Sequence, residues 1–404
     1  MDKPVLTIFY QFNPWKPTIG GIQTLIGNFI KYAPNEFEVR LVGTGTDISQ
    51  TVKGWQRAEF AGKEISFLPL FTLVQDNVRG LIPTTVKYSA ALLGRCYESD
   101  FMHFHRLEPT IATRNWRGDK TLFIHNDIQT QIQGGGNKKA ILWRRFPGIY
   151  YTLERLLIRQ FDQILSCNNN AVNSYQQRYP DIADRVAYIK NTFDNEIFFP
   201  LDAEEKLALR REEAISRGLA PDTSFLIFAG RLHPQKDPIL LIRAFAALKQ
   251  PNIHLLIAGD GELALAMKDE IQRLKLEQRI TMLGATTIAQ LAFLYRISSA
   301  FVLTSAYEGL PLVVLEALAS GIPVVTTNCG ETPKFLQSDS GIVCTERTVE
   351  SIADALTRIL LQPEKYPSHA CVKTAAPYSA SNVVTQVYSQ MFYRWAERKL
   401  SIVS

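Results

Sequence analysis

Tyr307-Glu308-Gly309-Leu310-Pro311-Leu312-Val313-Val314-Leu315-Glu316-Ala317-Leu318-Ala319-Ser320-Gly321-Ile322-Pro323-Val324-Val325 takes the chain from a strand end through a tight turn into a helix and on to the next strand. The Glu308-Gly309 pair marks the turn, and Pro311 stands where a helix begins, because proline has no N–H to lose there. The N–H groups exposed between Gly309 and Leu312 make a seat for a diphosphate. Glu308 in the loop and Glu316 about two turns into the helix flank that seat, where carboxylates accept hydrogen bonds from sugar and ribose hydroxyls. A surface turn followed by a helix carrying a solvated glutamate has the same spacing, so the stretch alone leaves both readings open.

Outward from this stretch, apolar runs of strand length alternate with amphipathic runs of helix length, the pattern of parallel βαβ units. Strands are expected at 5–10, 38–42, 65–68, 101–104, 122–124, 163–166 and 186–189, then at 225–229, 254–258, 280–283, 301–304 and 324–326. Helices are expected at 21–32 and 141–160, and at 238–248, 264–274, 288–297, 312–319 and 351–360. The strands are apolar without alternation, which both-face burial in a parallel sheet requires. A chain of 404 residues exceeds one ordinary core. The charged segment 196–220, with Pro200, places a boundary near Pro200. The expected architecture is therefore α/β, with two facing Rossmann-like domains at 1–200 and 201–380 and a cleft between their strand ends. A helix over 381–400, with Val384, Val387, Met391 and Trp395 on one side, would pack back onto the first domain.

Two further stretches stand at the same kind of strand end. Gly230-Arg231-Leu232-His233-Pro234-Gln235-Lys236-Asp237-Pro238 puts two cations in the loop after the strand at 225–229, suited to the charge developing on a diphosphate leaving group. No D-x-D triplet, the short signal for a metal-held diphosphate, occurs in the chain. Thr18-Ile19-Gly20-Gly21-Ile22-Gln23 precedes the first helix, where paired glycines admit a ligand close to the backbone. Solvated charges and a plain turn are the alternatives.

Bulk properties narrow the class. Hydrophobic residues at 46% and charged ones at 21% describe a globular chain, and a net charge of +5 is too mild to argue for nucleic acid. The five cysteines are scattered and form no C-x-x-C pair, which suits free thiols in a reducing cytoplasm. No secretion signal or apolar run of spanning length is read, so a cytoplasmic protein is expected.

Together these pieces resemble the family 4 glycosyltransferases, retaining enzymes with the GT-B fold. The resemblance rests on four ordered segments: GRLHPQKDPILLIRAFAAL (230–248), LLIAGDGEL (255–263), ITMLGA (280–285) and TSAYEGLPLVVLEALASGIPVV (304–325). It is looser in the first half, through the Gly20-Gly21 turn, His125 after a strand, and NTFDNEIFFP (191–200). By position it implies that Arg231 and Lys236 bind the diphosphate, Glu308 contacts the donor sugar and Glu316 holds the ribose. Gly309, Leu310, Pro311 and Leu312 would complete the donor seat, Gly20 and Gly21 would lie against the phosphates, and His125 would orient the sugar. His103 is read as structural and His105 as cleft-facing. Gln23, Asn126 and Phe193 depart from the family's more frequent Glu, Asp and Val, and the departures fall on the acceptor side.

Residues 134–160 carry Lys138, Lys139, Arg144, Arg145, Arg155 and Arg159 against one acid, Glu154, with Trp143, Phe146, Ile149, Tyr150 and Tyr151 interleaved. This composition suits an interfacial helix drawn to anionic lipid, and equally a helix packing its aromatics inward. Membrane-contact candidates are Lys138, Lys139, Trp143, Arg144, Arg145 and Phe146, which would make the protein peripheral on the inner membrane face. The expected activity is retaining, metal-independent transfer from a nucleotide-diphosphate-sugar donor to a glycan or lipid-linked acceptor of a cell-surface polysaccharide, without a cofactor. Transfer to a small soluble acceptor, as in a sucrose-phosphate-synthase-like protein, epimerisation of a nucleotide sugar, and non-catalytic nucleotide-sugar binding are the rivals.

Overall fold

The computed structural model describes residues 3–16, 20–45, 54–73, 83–125 and 147–403. The chain forms two compact units, Met1–Asn191 with Ala380–Ser404 (unit 1) and Thr192–Ser379 (unit 2). Each has the Rossmann-like α/β build.

Unit 1 contains eight strands: β1 (Val5–Phe9), β2 (Glu38–Gly45), β3 (Gln56–Phe60), β4 (Lys63–Thr72), β5 (Phe101–Phe104), β6 (Asp119–Ile124), β7 (Gln163–Ser166) and β8 (Val186–Tyr188). Their order in the sheet is β3-β4-β2-β1-β5-β6-β7-β8. All pairs are parallel except β3 with β4. That hairpin turns at Ala61 and Gly62, both left-handed at φ 52° and 74°, the conformation that a two-residue turn between twisted strands demands. The expectation of wholly parallel pairing missed β3, because Arg57 and Glu59 on this edge strand break the apolar run.

One face of the sheet packs Leu25, Ile26 and Phe29 of the helix Gly21–Lys31 together with Val384, Tyr388 and Met391 of the helix Ala380–Val403. Tyr388 donates its hydroxyl to the carbonyl of Phe29 at 2.9 Å. Arg394 and Arg398 pair with the buried Asp119 at 2.8 and 3.2 Å. The other face is covered by the helices Thr84–Leu92, Pro147–Leu157 and Asn169–Arg178 through Tyr88, Leu92, Tyr150, Leu157, Val172 and Tyr175.

Unit 2 contains β9 (Ser224–Ala229), β10 (Ile253–Ala258), β11 (Ile280–Gly284), β12 (Ala300–Leu303), β13 (Val324–Thr327) and β14 (Gly341–Cys344), in the order β11-β10-β9-β12-β13-β14 and parallel throughout. All six side chains of β10 are buried, as expected for a strand covered on both faces. The short β14 was missed because it offers only Ile342, Val343 and Cys344 as an apolar run. Unit 2 begins at Thr192, before the boundary expected near Pro200, because Phe193 and Phe198 enter its core. The strand order reverses about β9, so the loops after β9 and β12 flank a topological switch point, the place where open α/β sheets bind ligands.

Candidate functional site

Unit 2 holds Arg231, Lys236, Glu308, Gly309, Leu310, Pro311, Leu312 and Glu316, while Gly20, Gly21 and His125 lie in unit 1.

In unit 2 the loops after β9 and β12 are stitched together. Ala306 N–H donates to the carbonyl of Gln235 at 2.8 Å, and the Gln235 side chain donates to the carbonyl of Tyr307 at 3.0 Å. Thr304 Oγ1 is 2.9 Å from the carbonyl oxygens of both Lys236 and Asp237. Across this seam Lys236 Nζ meets Glu308 Oε1 at 2.5 Å, with side chains only 13% and 8% exposed. Ser305 donates its hydroxyl to the same oxygen at 2.6 Å. Arg231 in the same loop is exposed. The backbone is equally close: Gly330, at φ 68°, would put a Cβ 2.3 Å from the Gly309 carbonyl, so any side chain there displaces the Glu308-Gly309 turn. Glu331 N–H donates to that carbonyl at 2.9 Å.

Pro311 is the N-cap of the helix Leu312–Ala319, and no side chain caps that helix. Leu310 is buried. Glu316 is 7% exposed, which excludes a solvated helix-surface glutamate. Its carboxylate lies against the fully buried Tyr295, whose hydroxyl stands 3.5 Å away. Burial pushes its pKa up to about 7, opposed by the Tyr295 hydrogen bond. Once ionised the group is acceptor-only, and so placed, with one long side-chain hydrogen bond among the described residues, it is set to take donors from a ligand.

In unit 1, Gly20 is the extended N-cap of the helix Gly21–Lys31, which no side chain caps, and Gly21 is its first residue. His125 follows β6 and is half-buried. Its Nε2 is 2.9 Å from Nδ1 of His105, and the rings stack at 5.2 Å. His105 stacks in turn on Phe123 at 4.9 Å. Burial, with Arg106 nearby, pushes His125 down to about 3, and burial with its histidine neighbours pushes His105 well below the usual imidazole range. Both rings are therefore neutral near pH 7, and one shared proton joins them. His103 is buried and packs edge-on against Phe29 and Phe123.

Lys138, Lys139, Trp143, Arg144, Arg145, Phe146 and Asn126 lie outside the described residues. The helix Pro147–Leu157 that follows exposes Ile149 and Leu156 at 60% and 61%. Glu154 does not balance the nearby cations. It is fully buried, accepts from Tyr150, Tyr175 and Tyr179, and pairs with Arg178 at 2.7 Å.

Thr304, Ser305, Gln235 and Tyr295 were not read from the sequence as site residues. The first three lie within the quoted segments and could have been found beside Lys236 and Glu308, whereas Tyr295 carries no local signal. Among the described residues no group of three or more His, Cys, Asp or Glu side chains stands where it could hold a metal, and no helix is long and apolar enough to cross a membrane.

Residues 210–375 match the family Glycosyl transferases group 1. This range contains Arg231, Lys236, Tyr295, Glu308 to Leu312 and Glu316. Among curated relatives, the uncharacterized glycosyltransferase MJ1059 of Methanocaldococcus jannaschii is 27% identical over 264 residues, covering 60% of this chain and 62% of that protein. The chain spans about half the length of the curated relatives it matches. Among solved structures, sucrose-phosphate synthase from Thermosynechococcus elongatus aligns over the whole of both chains with a TM-score of 0.77 at 16% identity. Anabaena Alr3699/HepE in complex with UDP and glucose aligns over 96% of this chain and 100% of its own, with a TM-score of 0.69 at 16% identity. At such identities the likeness establishes the fold, that of GT-B glycosyltransferases.

Proposed function

We propose that the chain is a retaining, metal-independent glycosyltransferase that moves a sugar from a nucleotide-diphosphate donor to a glycan or lipid-linked acceptor. The observation that carries this reading is the low-exposure Lys236–Glu308 pair at the switch point of unit 2, inside the segment that matches group 1 glycosyltransferases. A neutral pair is a resting arrangement. When a diphosphate arrives, the ammonium turns to it, Arg231 adds a second cation, and Glu308 is released to accept sugar hydroxyls. Glu316 takes the ribose hydroxyls. The bond from the anomeric carbon to the diphosphate oxygen breaks, and the acceptor oxygen bonds to the same face. The acceptor's proton leaves with the diphosphate. The UDP complex of the Anabaena neighbour makes UDP-sugars the first donors to try.

The cations 138–145 and the exposed Ile149 and Leu156 support an anionic membrane surface as the place where the acceptor is met. A panel of UDP-, GDP- and ADP-sugars, screened by thermal shift and then by nucleotide release with glycan and lipid-linked acceptors, tests the proposal. Proton NMR of the product reads the anomeric configuration. The proposal fails if no nucleotide sugar stabilises the protein and none is turned over, and retention fails if the product is inverted.

A further inference from the structure

Asp237 follows Lys236 directly and is left-handed, with φ 44° and ψ 57°. Aspartate enters that conformation more readily than most residues with a side chain, but at a cost that contacts around it must offset. Three contacts do so. Its Oδ1 accepts the N–H of Leu240 at 3.3 Å, as the N-cap of the helix Pro238–Ala246. Its carbonyl accepts the Thr304 hydroxyl at 2.9 Å. Its Oδ2 meets Arg347 Nη1 at 2.5 Å. Arg347 comes from the loop between β14 and the helix Val349–Leu361, far along the chain from both site loops. The pair is 44% and 30% exposed, and pairs that open to water contribute little to stability.

We propose that Arg347 is a positioning residue, which locks Asp237 left-handed and so holds the Lys236 ammonium in register with Glu308. The inference rests on the donor-site reading above only for the identity of the ligand that Lys236 meets. It also separates two ways in which a cation near a diphosphate acts. A residue in direct contact with phosphate matters whatever occupies position 237, whereas one acting through Asp237 matters only while that backbone needs holding.

Glycine supplies the discriminating background. It adopts the left-handed region without strain and is tolerated at an N-cap, so Asp237→Gly frees the loop from Arg347. Four proteins are compared: wild type, Arg347→Ala, Asp237→Gly and the double variant. Two measurements are made on each: amide hydrogen exchange over 231–240, and affinity for whichever of UDP, GDP and ADP binds the wild type most tightly, with the matching monophosphate as control.

Lys236 N–H, bonded to the His233 carbonyl at 2.9 Å, and Asp237 N–H, bonded to that of Pro234 at 3.2 Å, report the loop directly. Arg347→Ala in the native background is expected to speed their exchange on the order of tenfold and to weaken the diphosphate by a similar factor, sparing the monophosphate. In the Asp237→Gly background the same substitution is expected to change neither by more than about twofold. Equal losses in both backgrounds, or no loss in either, overturn the proposal. Should no nucleotide bind the wild type, the donor reading fails while the exchange measurement still decides the role of Arg347.

Discussion

Replacing Glu316 with glutamine should make unit 2 more stable at alkaline pH and the protein worse at holding a nucleotide. The buried carboxyl titrates at about 7 in the folded protein, against 4.5 in its absence of perturbation. Because the folded value is the higher one, folding takes up a proton between those limits. The stability this carboxyl contributes is fully present below pH 4.5 and is lost as pH rises through 7. The gap is about 2.5 pH units, and at about 1.4 kcal/mol each the buried anion costs roughly 3 kcal/mol at pH 8. Glutamine has the same shape and no charge to bury. Glu316→Gln should therefore be close to neutral at pH 4.5 and stabilising by as much as roughly 3 kcal/mol at pH 8.

The five tryptophans, Trp15, Trp55, Trp116, Trp143 and Trp395, all lie outside unit 2, so their fluorescence follows unit 1 and serves as the control. Urea unfolding followed by far-ultraviolet circular dichroism at the two pH values reads the change. Nucleotide affinity should fall on the order of tenfold, the ribose hydroxyls having lost a charged acceptor. In the wild type that affinity should rise with pH through 7, with a proton released on binding at lower pH. A variant no more stable than wild type at pH 8, or equally stabilised at both pH values, would refute the argument that Glu316 is a strained, ligand-seeking carboxylate.

Lys236→Ala should lower turnover about a hundredfold or more with the circular dichroism spectrum unchanged, and a near-normal rate would reduce the Lys236–Glu308 pair to a structural link. Full activity is expected in excess EDTA, since Arg231 and Lys236 supply the positive charge; complete loss restored by Mg²⁺ or Mn²⁺ would place a metal in the reaction. Followed by proton NMR between pH 5 and 8, the His125 ring should not titrate, because it stays neutral down to about 3, and an imidazole titration near 6.5 would contradict that shift. Sedimentation with phosphatidylglycerol vesicles at low salt should capture the protein, and vesicles of phosphatidylcholine should not. Each cation at the surface contributes about 1 kcal/mol, so Lys138, Lys139, Arg144 and Arg145 changed together to Ser should abolish capture. A wild type indifferent to anionic vesicles would remove the support for a lipid-linked acceptor.

The second half of the chain was the more legible. Strands such as β10 are buried on both faces and read as unbroken apolar runs, and Gly and Pro mark the loops between them. The sequence separation of Lys236 and Glu308 hides their contact: the βαβ rhythm gives the strands but not their order, and it is the order that makes the loops after β9 and β12 neighbours. What escaped has no local signature. Arg347 meets Asp237 through tertiary geometry alone. The left-handed backbone at Asp237 sits where the Asp-Pro pair suggests only a helix cap. Glu154 was read only as the one acid among the cations of 134–160, yet three tyrosines and an arginine turn it inward, and nothing in helical periodicity announces that. His105 could be placed at a strand end, but not its proton-sharing contact with His125.

Unit 2 is an insertion into unit 1, and it begins and ends at one place: Phe193 N–H bonds to the carbonyl of Tyr378 at 3.2 Å. The order of synthesis follows from this. Unit 2 is contiguous and can fold as soon as it leaves the ribosome. Unit 1 must wait for the helix Ala380–Val403, whose Val384, Tyr388 and Met391 complete one face of its sheet. At about 5–20 residues per second, translating unit 2 takes roughly 10–40 s. During that interval the apolar face around Leu25, Ile26 and Phe29 lacks the cover of that helix. A gene cut short before residue 380 should yield an intact unit 2 tethered to an aggregating unit 1, whereas residues 192–379 alone should stay in solution.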